Sequence, residues 1–430
     1  GDVIFRNRPA VIELTYPEMY IHLESALFLY FFVQLCSPAQ VRITFEKCDL
    51  KGFTCVASPE VSGRHDITFQ CTNVTGQDIQ FYLWAFSAPG TIQSLTLHNC
   101  EKVQLSLTCS GDNRPIQWVK FKNIGSLEWL PPNVPHNPPK MIFENISRIE
   151  ILPRQTFAQI KKIFYKPGCY LPAFDLNALE FRNVNFGTIE SGAFDNLSDM
   201  TNFEWTNVTV SRIAYAAMKM QFVQGGKGSI SNSNLGVLEP MALQFVGDGL
   251  SIKNNKIEDL SPNSINGTVY DFEFVNNTVD NLQSSAIAVL SQNTYINNNH
   301  FRNVESGAFK KVSPGLLHDS QRNFGTLYFV YDFNNNLFEH VEDKGIRPDI
   351  EAYKNVASLV NFTENTLQCS CETISWLGAE VDLGFNYTVL KDFNTMILDP
   401  KNKNNCNFNP CMCFGVRSPN KRSSATAAVF

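Results

Sequence analysis

Charged side chains are sparse in this chain. Asp, Glu, Lys and Arg make up 18% of its 430 residues, against about 25% in an ordinary soluble domain. A net charge of -6 and a pI near 5.7 lack the basic excess that a phosphate backbone attracts, which argues against nucleic acid as the main partner. Long apolar runs are missing too. The strongest, Ala26 to Val33, has eight residues, and a membrane-spanning helix needs about 20. It is read as a buried piece of an N-terminal cap, and no membrane span is expected. No segment carries a long helical period, which leaves strands and turns to build the fold.

Signatures of catalysis and metal binding are also missing. The seven histidines, His22, His65, His98, His136, His300, His318 and His340, are scattered, and none forms a His-Glu-x-x-His zinc site. No C-x-x-C pair, G-x-S-x-G elbow or P-loop occurs. Gly225-Gly226-Lys-Gly228 lacks the Ser/Thr and helix of a phosphate loop and reads as a turn. No metal and no cofactor is expected.

What is present is a repeated phrase. Leu250-Ser-Ile252-Lys-Asn-Asn255-Lys-Ile257-Glu-Asp-Leu260 returns as Phe272-Glu-Phe274-Val-Asn-Asn277-Thr-Val279-Asp-Asn-Leu282 and as Thr294-Tyr-Ile296-Asn-Asn-Asn299-His-Phe301-Arg-Asn-Val304, each copy 22 residues on. A fixed period of this size defines a solenoid, whose coils bury their apolar faces against one another. Looser copies extend from Ile43-Thr-Phe45 to Val360-Asn-Phe362, about thirteen coils in all. Three alternating residues make a short strand with two side chains inward and one outward. Stacked asparagines at Asn255, Asn277, Asn299, Asn336 and Asn365 predict a hydrogen-bonded ladder. The 34 phenylalanines are expected to fill the convex side, built from short turns and 3₁₀ pieces.

Twelve cysteines and eight Asn-x-Ser/Thr sequons, at Asn73, Asn145, Asn196, Asn207, Asn266, Asn276, Asn361 and Asn386, point to a secreted, disulfide-bearing glycoprotein. Cys36, Cys48, Cys55, Cys71, Cys100 and Cys109 are spread over the first coils. Cys48 and Cys100 fall near the asparagine position, where a free, buried cysteine is one expectation.

The pattern L-x-x-L-x-L-x-x-N-x-L-x-x-L followed by Gly192-Ala-Phe194 or Gly307-Ala-Phe309 resembles the extracellular leucine-rich-repeat family, of which this is a divergent, Phe-rich member. Cys369-Ser-Cys371 running into Trp376-Leu377 is similar to that family's cysteine-rich C-terminal cap. The resemblance implies an α/β solenoid dominated by β: a horseshoe or superhelix with a parallel concave sheet and a mostly non-helical convex side. It also implies two disulfides from Cys369 and Cys371 to partners among Cys406, Cys411 and Cys413. The expected division is an N-terminal cap over 1–40, the solenoid over 41–367, the cysteine-rich cap over 368–415 and a flexible tail over 416–430.

The concave strand face is the expected binding surface. Trp118, Lys120 and Lys122 predict a basic-aromatic patch, Glu180, Glu204 and Glu273 an acidic one, and Tyr295 an interface anchor. The expected partner is an extracellular protein or glycoprotein, with a second copy of this chain as the alternative in a self-assembling matrix protein. Asn361 takes an outward strand position, so a glycan there directs partners to the N-terminal and middle face. An enzyme is not expected. The enzymatic alternative is a polysaccharide-acting β-helix using the successive carboxylates Glu180 and Glu204. It predicts polysaccharide cleavage that disappears in Glu180→Gln or Glu204→Gln, measured by reducing-sugar release.

Overall fold

The computed structural model describes residues 41–42, 53–57, 65–71, 79–82, 92–106, 117–129, 138–157, 176–315, 329–342, 344–349, 352–353, 356, 358–363 and 365–367. The cap expected over 1–40, the cap over 368–415 with Cys369, Cys371, Cys406, Cys411 and Cys413, the tail over 416–430, and Asn73 and Asn386 lie outside the described residues.

The strands begin with β1 (Val41–Arg42), β2 (Phe53–Ala57), β3 (His65–Cys71) and β4 (Ile79–Tyr82). Long strands follow: β5 (Ile92–Ser106), β6 (Trp118–Trp129), β7 (Lys140–Leu152), β8 (Ala178–Ile189) and β9 (Phe194–Ile213). Long and short strands then alternate through β10 (Met218–Ser231), β11 (Asn234–Leu238), β12 (Leu243–Lys253), β13 (Lys256–Leu260), β14 (Ile265–Val275), β15 (Thr278–Leu282), β16 (Ile287–Asn297) and β17 (His300–Val304). The last are β18 (Ser313–Pro314), β19 (Phe329–Asn334), β20 (Leu337–Val341), β21 (Ser358–Thr363) and β22 (Thr366–Leu367). Together they form a parallel β-solenoid with almost no helix. One pair, β2 with β3, is antiparallel.

One turn shows the construction. Leu243 to Gly247 is a first wall, Gly249 to Lys253 a second and Lys256 to Leu260 a third. Each residue stands over its counterpart in the next turn: Leu243 over Ile265, Leu250 over Phe272, Ile257 over Val279. Inward side chains alternate along the first two walls, as Leu243 and Phe245, then Leu250 and Ile252, and stand three apart on the third, at Ile257 and Leu260. The second wall is the sheet expected to be concave. The first wall is a correction: strand pairing occupies it where short turns and 3₁₀ pieces were expected. Phenylalanine is likewise not confined to one side. Phe121, Phe143 and Phe181 stack inside the second wall at 5.2 and 4.8 Å. Phe301 and Phe338 stack inside the third at 5.1 Å.

The corner between the second and third walls carries two asparagines per turn. Asn277 is buried; its Oδ1 accepts the Asn255 backbone N–H at 3.0 Å, and its Nδ2 donates to the Ile252 carbonyl at 2.9 Å. The same bonds recur at Asn255, Asn299, Asn336 and Asn365, so the expected ladder is present, with Ser233 as its first rung. The residue just before Ser233, Asn255, Asn277, Asn299 and Asn336 is an exposed asparagine in the left-handed region: Asn232, Asn254, Asn276, Asn298 and Asn335, at φ 52 to 58°. Upstream the same corner is made by Asn99, Asn123, Asn145, Asn183 and Asn207. Asparagine tolerates this conformation better than other residues with a side chain.

The corner between the third and first walls explains the Gly-Ala-Phe phrase. Gly192 and Gly307 adopt φ 69° there. Glu190, Glu239, Glu305 and Glu342, two residues before that position, accept a backbone N–H from the preceding turn, at Arg154, Tyr215, Ser284 and Ser306, over 2.7 to 3.0 Å. Cys100 is also a correction to a free, buried thiol: it forms a disulfide with Cys71 and ties β3 to β5.

Removing one buried rung orphans several buried polar groups at about 1–3 kcal/mol each. Asn299→Ala, which strands the Asn277 N–H and the Phe274 carbonyl, is expected to lower unfolding free energy by about 3 kcal/mol in urea titration. Asn254→Ala, at the exposed corner, is expected to cost about 1–2 kcal/mol, the left-handed penalty alone.

Candidate functional site

The second wall presents its outward side chains in three stacked columns. The central one runs Thr96, Lys120, Ile142, Glu180, Glu204, Ser229, Ser251, Glu273, Tyr295 and Asp332, each paired in register with the next. Five of the expected binding residues, Lys120, Glu180, Glu204, Glu273 and Tyr295, therefore share one column. Trp118 lies in the column beside it, next to Lys140. The other flank carries His98, Lys122, Glu144, Arg182, Thr206, Ser231, Lys253 and Asn297.

Charges on this face are interleaved, which corrects the expectation of separate basic and acidic patches. Lys120 pairs with Glu144, and Lys122 reaches the same carboxylate at 3.1 Å. Glu180, 5% exposed, is held by Lys140 at 2.5 Å and Arg182 at 2.9 Å. Arg182 also reaches Glu204 at 3.2 Å. Lys253 holds Glu273 at 2.7 Å. In-register stacking places Glu180 directly beside Glu204, and a shared guanidinium relieves the repulsion. Both Glu180 oxygens face cations, Oε1 the Lys140 ammonium and Oε2 the Arg182 guanidinium.

Local electrostatics follow from these pairs. Hydrogen bonding to Lys120, reinforced by Lys122, outweighs burial and holds the Glu144 carboxyl below its ordinary value. Burial pushes Glu273 up, but Lys253 and Ser251 bind its ionised form and the net shift is downward. Burial, then Asp271, Asp332 and Glu273, pushes the Tyr295 hydroxyl up and keeps it a hydrogen-bond donor. The carboxylates around it are oriented: Asn293 donates to Asp271 at 2.8 Å and Asn297 to Asp332 at 2.9 Å. Between the two charged zones the face carries Ser229, Ser231 and Ser251, with Lys227 beside Gly249.

Lys140, Glu144, Arg182, Lys253 and Asp271 belong to this surface and were missed in the sequence. The signal was there: each lies two residues from a central-column position and so shares its face. A cavity of about 300 Å³ lies elsewhere, on the first wall, lined by Asn266, Thr268, Ala288, Leu290, Lys311 and Asp349 among others. The sequons divide by wall. Asn196 and Asn266, expected on the convex return, lie in first-wall strands β9 and β14. Asn145, Asn207 and Asn276 lie in the exposed asparagine corner, and Asn361 lies in β21, paired with Asp332. Among the described residues no His, Cys, Asp or Glu cluster is arranged to hold a metal ion, and no helix is long and apolar enough to cross a membrane.

Comparison with protein-family models, curated proteins and solved structures returns no match.

A carboxyl whose folded-state pKa is depressed stabilises the fold above its unfolded value and loses that contribution as pH falls through the folded one. For Glu144 the ordinary value is 4.5. Replacing both Lys120 and Lys122 by Met is therefore expected to cost about 1 kcal/mol at pH 7. The difference from the unsubstituted chain should shrink below pH 4.5, as followed by urea denaturation across pH.

Proposed function

We propose that this chain is a secreted recognition protein that binds an extracellular protein or glycoprotein through the second-wall face. One observation carries the reading: Lys120, Glu180, Glu204, Glu273 and Tyr295 form one column whose charges are fixed by cross-turn ion pairs. Side chains already held in place lose little entropy on binding, and this supports an interface role. Tyr295, half-buried among oriented carboxylates, has the amphipathic character of an interface anchor. The Cys71–Cys100 disulfide and the eight sequons support the extracellular compartment. The Gly-Ala-Phe phrase has its own role at a β-solenoid corner, so the proposal rests on the face and not on the leucine-rich-repeat resemblance.

The test is binding of the full glycosylated chain to a panel of purified ectodomains by biolayer interferometry. Tyr295→Ala is expected to weaken a partner at least tenfold, the effect of losing a central aromatic anchor. Arg302→Ala, on the third wall beside Asp280, should leave binding unchanged. A partner insensitive to Tyr295→Ala, Lys120→Ala and Glu273→Ala overturns the assignment. So does polysaccharide cleavage lost in Glu180→Gln.

A further inference from the structure

The exposed asparagine corner is a hydrogen-bonded ladder, separate from the buried one. Asn123 Nδ2 donates to Asn99 Oδ1 at 2.9 Å, Asn145 to Asn123 at 2.8 Å, Asn183 to Asn145 at 2.7 Å and Asn207 to Asn183 at 2.7 Å. Asn335 donates to Asn298 at 2.5 Å further along. Two of its residues, Asn145 and Asn207, begin sequons, and Asn276 begins a third at the same corner.

An amide that donates to the turn before it and accepts from the turn after it, as Asn145 does, must use the N–H opposite its carbonyl. Its second N–H lies on the carbonyl side, away from Cβ and outside the ladder. Asn123 shows where that hydrogen goes: its Nδ2 also lies 3.0 Å from His98 Nε2, in the adjoining column of the second wall. N-glycosylation replaces one Nδ2 hydrogen, and a secondary amide prefers the trans form. The sugar then takes the outer position, and the ladder N–H survives.

We propose that N-linked oligosaccharides on Asn145 and Asn207 are carried by the intact ladder and, with one on Asn276 at the same corner, form a row along the edge of the binding face. In forming each one, the glycosyl C1 exchanges its bond to the phosphate oxygen of a lipid-pyrophosphate donor for a bond to Nδ2. Nδ2 gives up one proton, and the lipid pyrophosphate leaves. Turns lie about 4.8 Å apart, so Asn145 and Asn207 stand about 10 Å apart and Asn276 about 14 Å further on. The row borders the column of Lys122, Glu144 and Arg182. A partner therefore reaches the face from the opposite side, over Trp118 and Lys140. The inference rests on the secreted reading above.

The test is glycopeptide mass spectrometry of the full chain secreted from eukaryotic cells, joined to urea denaturation. Asn145, Asn207 and Asn276 are expected to be occupied in folded protein. Thr209→Val deletes the Asn207 sequon but keeps the ladder, and its urea midpoint should match that of the unsubstituted chain. Asn207→Gln deletes both, and its midpoint should fall by about 0.3 M. Glycans at Asn196 or Asn266 with Asn145 and Asn207 bare overturn the inference and leave secretion standing. A secreted chain with no glycan at any sequon overturns both. Asn207→Gln as resistant to urea as Thr209→Val, or a glycosylated chain less resistant than Thr209→Val, overturns the ladder's part.

Discussion

Every feature of this solenoid depends on keeping one turn in register with the next, and the corner asparagines enforce that register. A bent strand leaves backbone N–H and carbonyl groups at the bend without sheet partners, and burying them unpaired is costly. In the C-terminal turns the buried amides of Asn255, Asn277, Asn299, Asn336 and Asn365 satisfy them. In the N-terminal turns the equivalent inward positions are Cys100, Ile124, Ile146, Val184 and Val208. There the outer asparagines, from Asn99 to Asn207, bond to one another instead. The same corner is thus held by the outer ladder alone at one end and by the inner ladder, with an outer bond from Asn335 to Asn298, at the other.

Register has a consequence for charge. In a parallel stack each side chain sits beside the residue at the same position of the next turn, so equal residues in equal positions repel if ionised. Glu180 and Glu204 are such a pair. The chain answers with Arg182, two residues along the same strand, which reaches both carboxylates. Lys120 and Lys122, two like charges on one strand, converge on Glu144 of the next turn. The ordered ion pairs of the face are therefore products of the fold.

Much of this was legible in the sequence, and the limits have physical causes. The central column was readable residue by residue because inward and outward positions alternate with period two. The buried ladder was readable because its 22-residue spacing is unbroken from Asn255 to Asn299. The outer ladder was equally visible as an asparagine one residue earlier, yet its meaning requires the backbone φ, which a list of residues does not carry. The first wall was misjudged for a different reason. Its outward positions include Val246 and Leu290, which blur the apolar-polar alternation that marks a strand. Flanking cations were missed because reading one residue per turn discards the neighbours on the same face.

The substitution of strand for turn on the first wall also removes a backbone difference between the walls. Here strands occupy all three walls of a turn, so backbone geometry alone does not single out one of them. Side-chain chemistry does. On the second wall, ion-paired zones around Glu180 and Glu273 flank a hydroxyl-rich stretch of Ser229, Ser231 and Ser251. The asparagine corner borders that wall along its length. Charge, hydroxyl and aromatic groups therefore follow one another along the stack in a fixed order, one rung per turn at about 4.8 Å, because the register that the corners enforce leaves each outward side chain a single neighbour on either side.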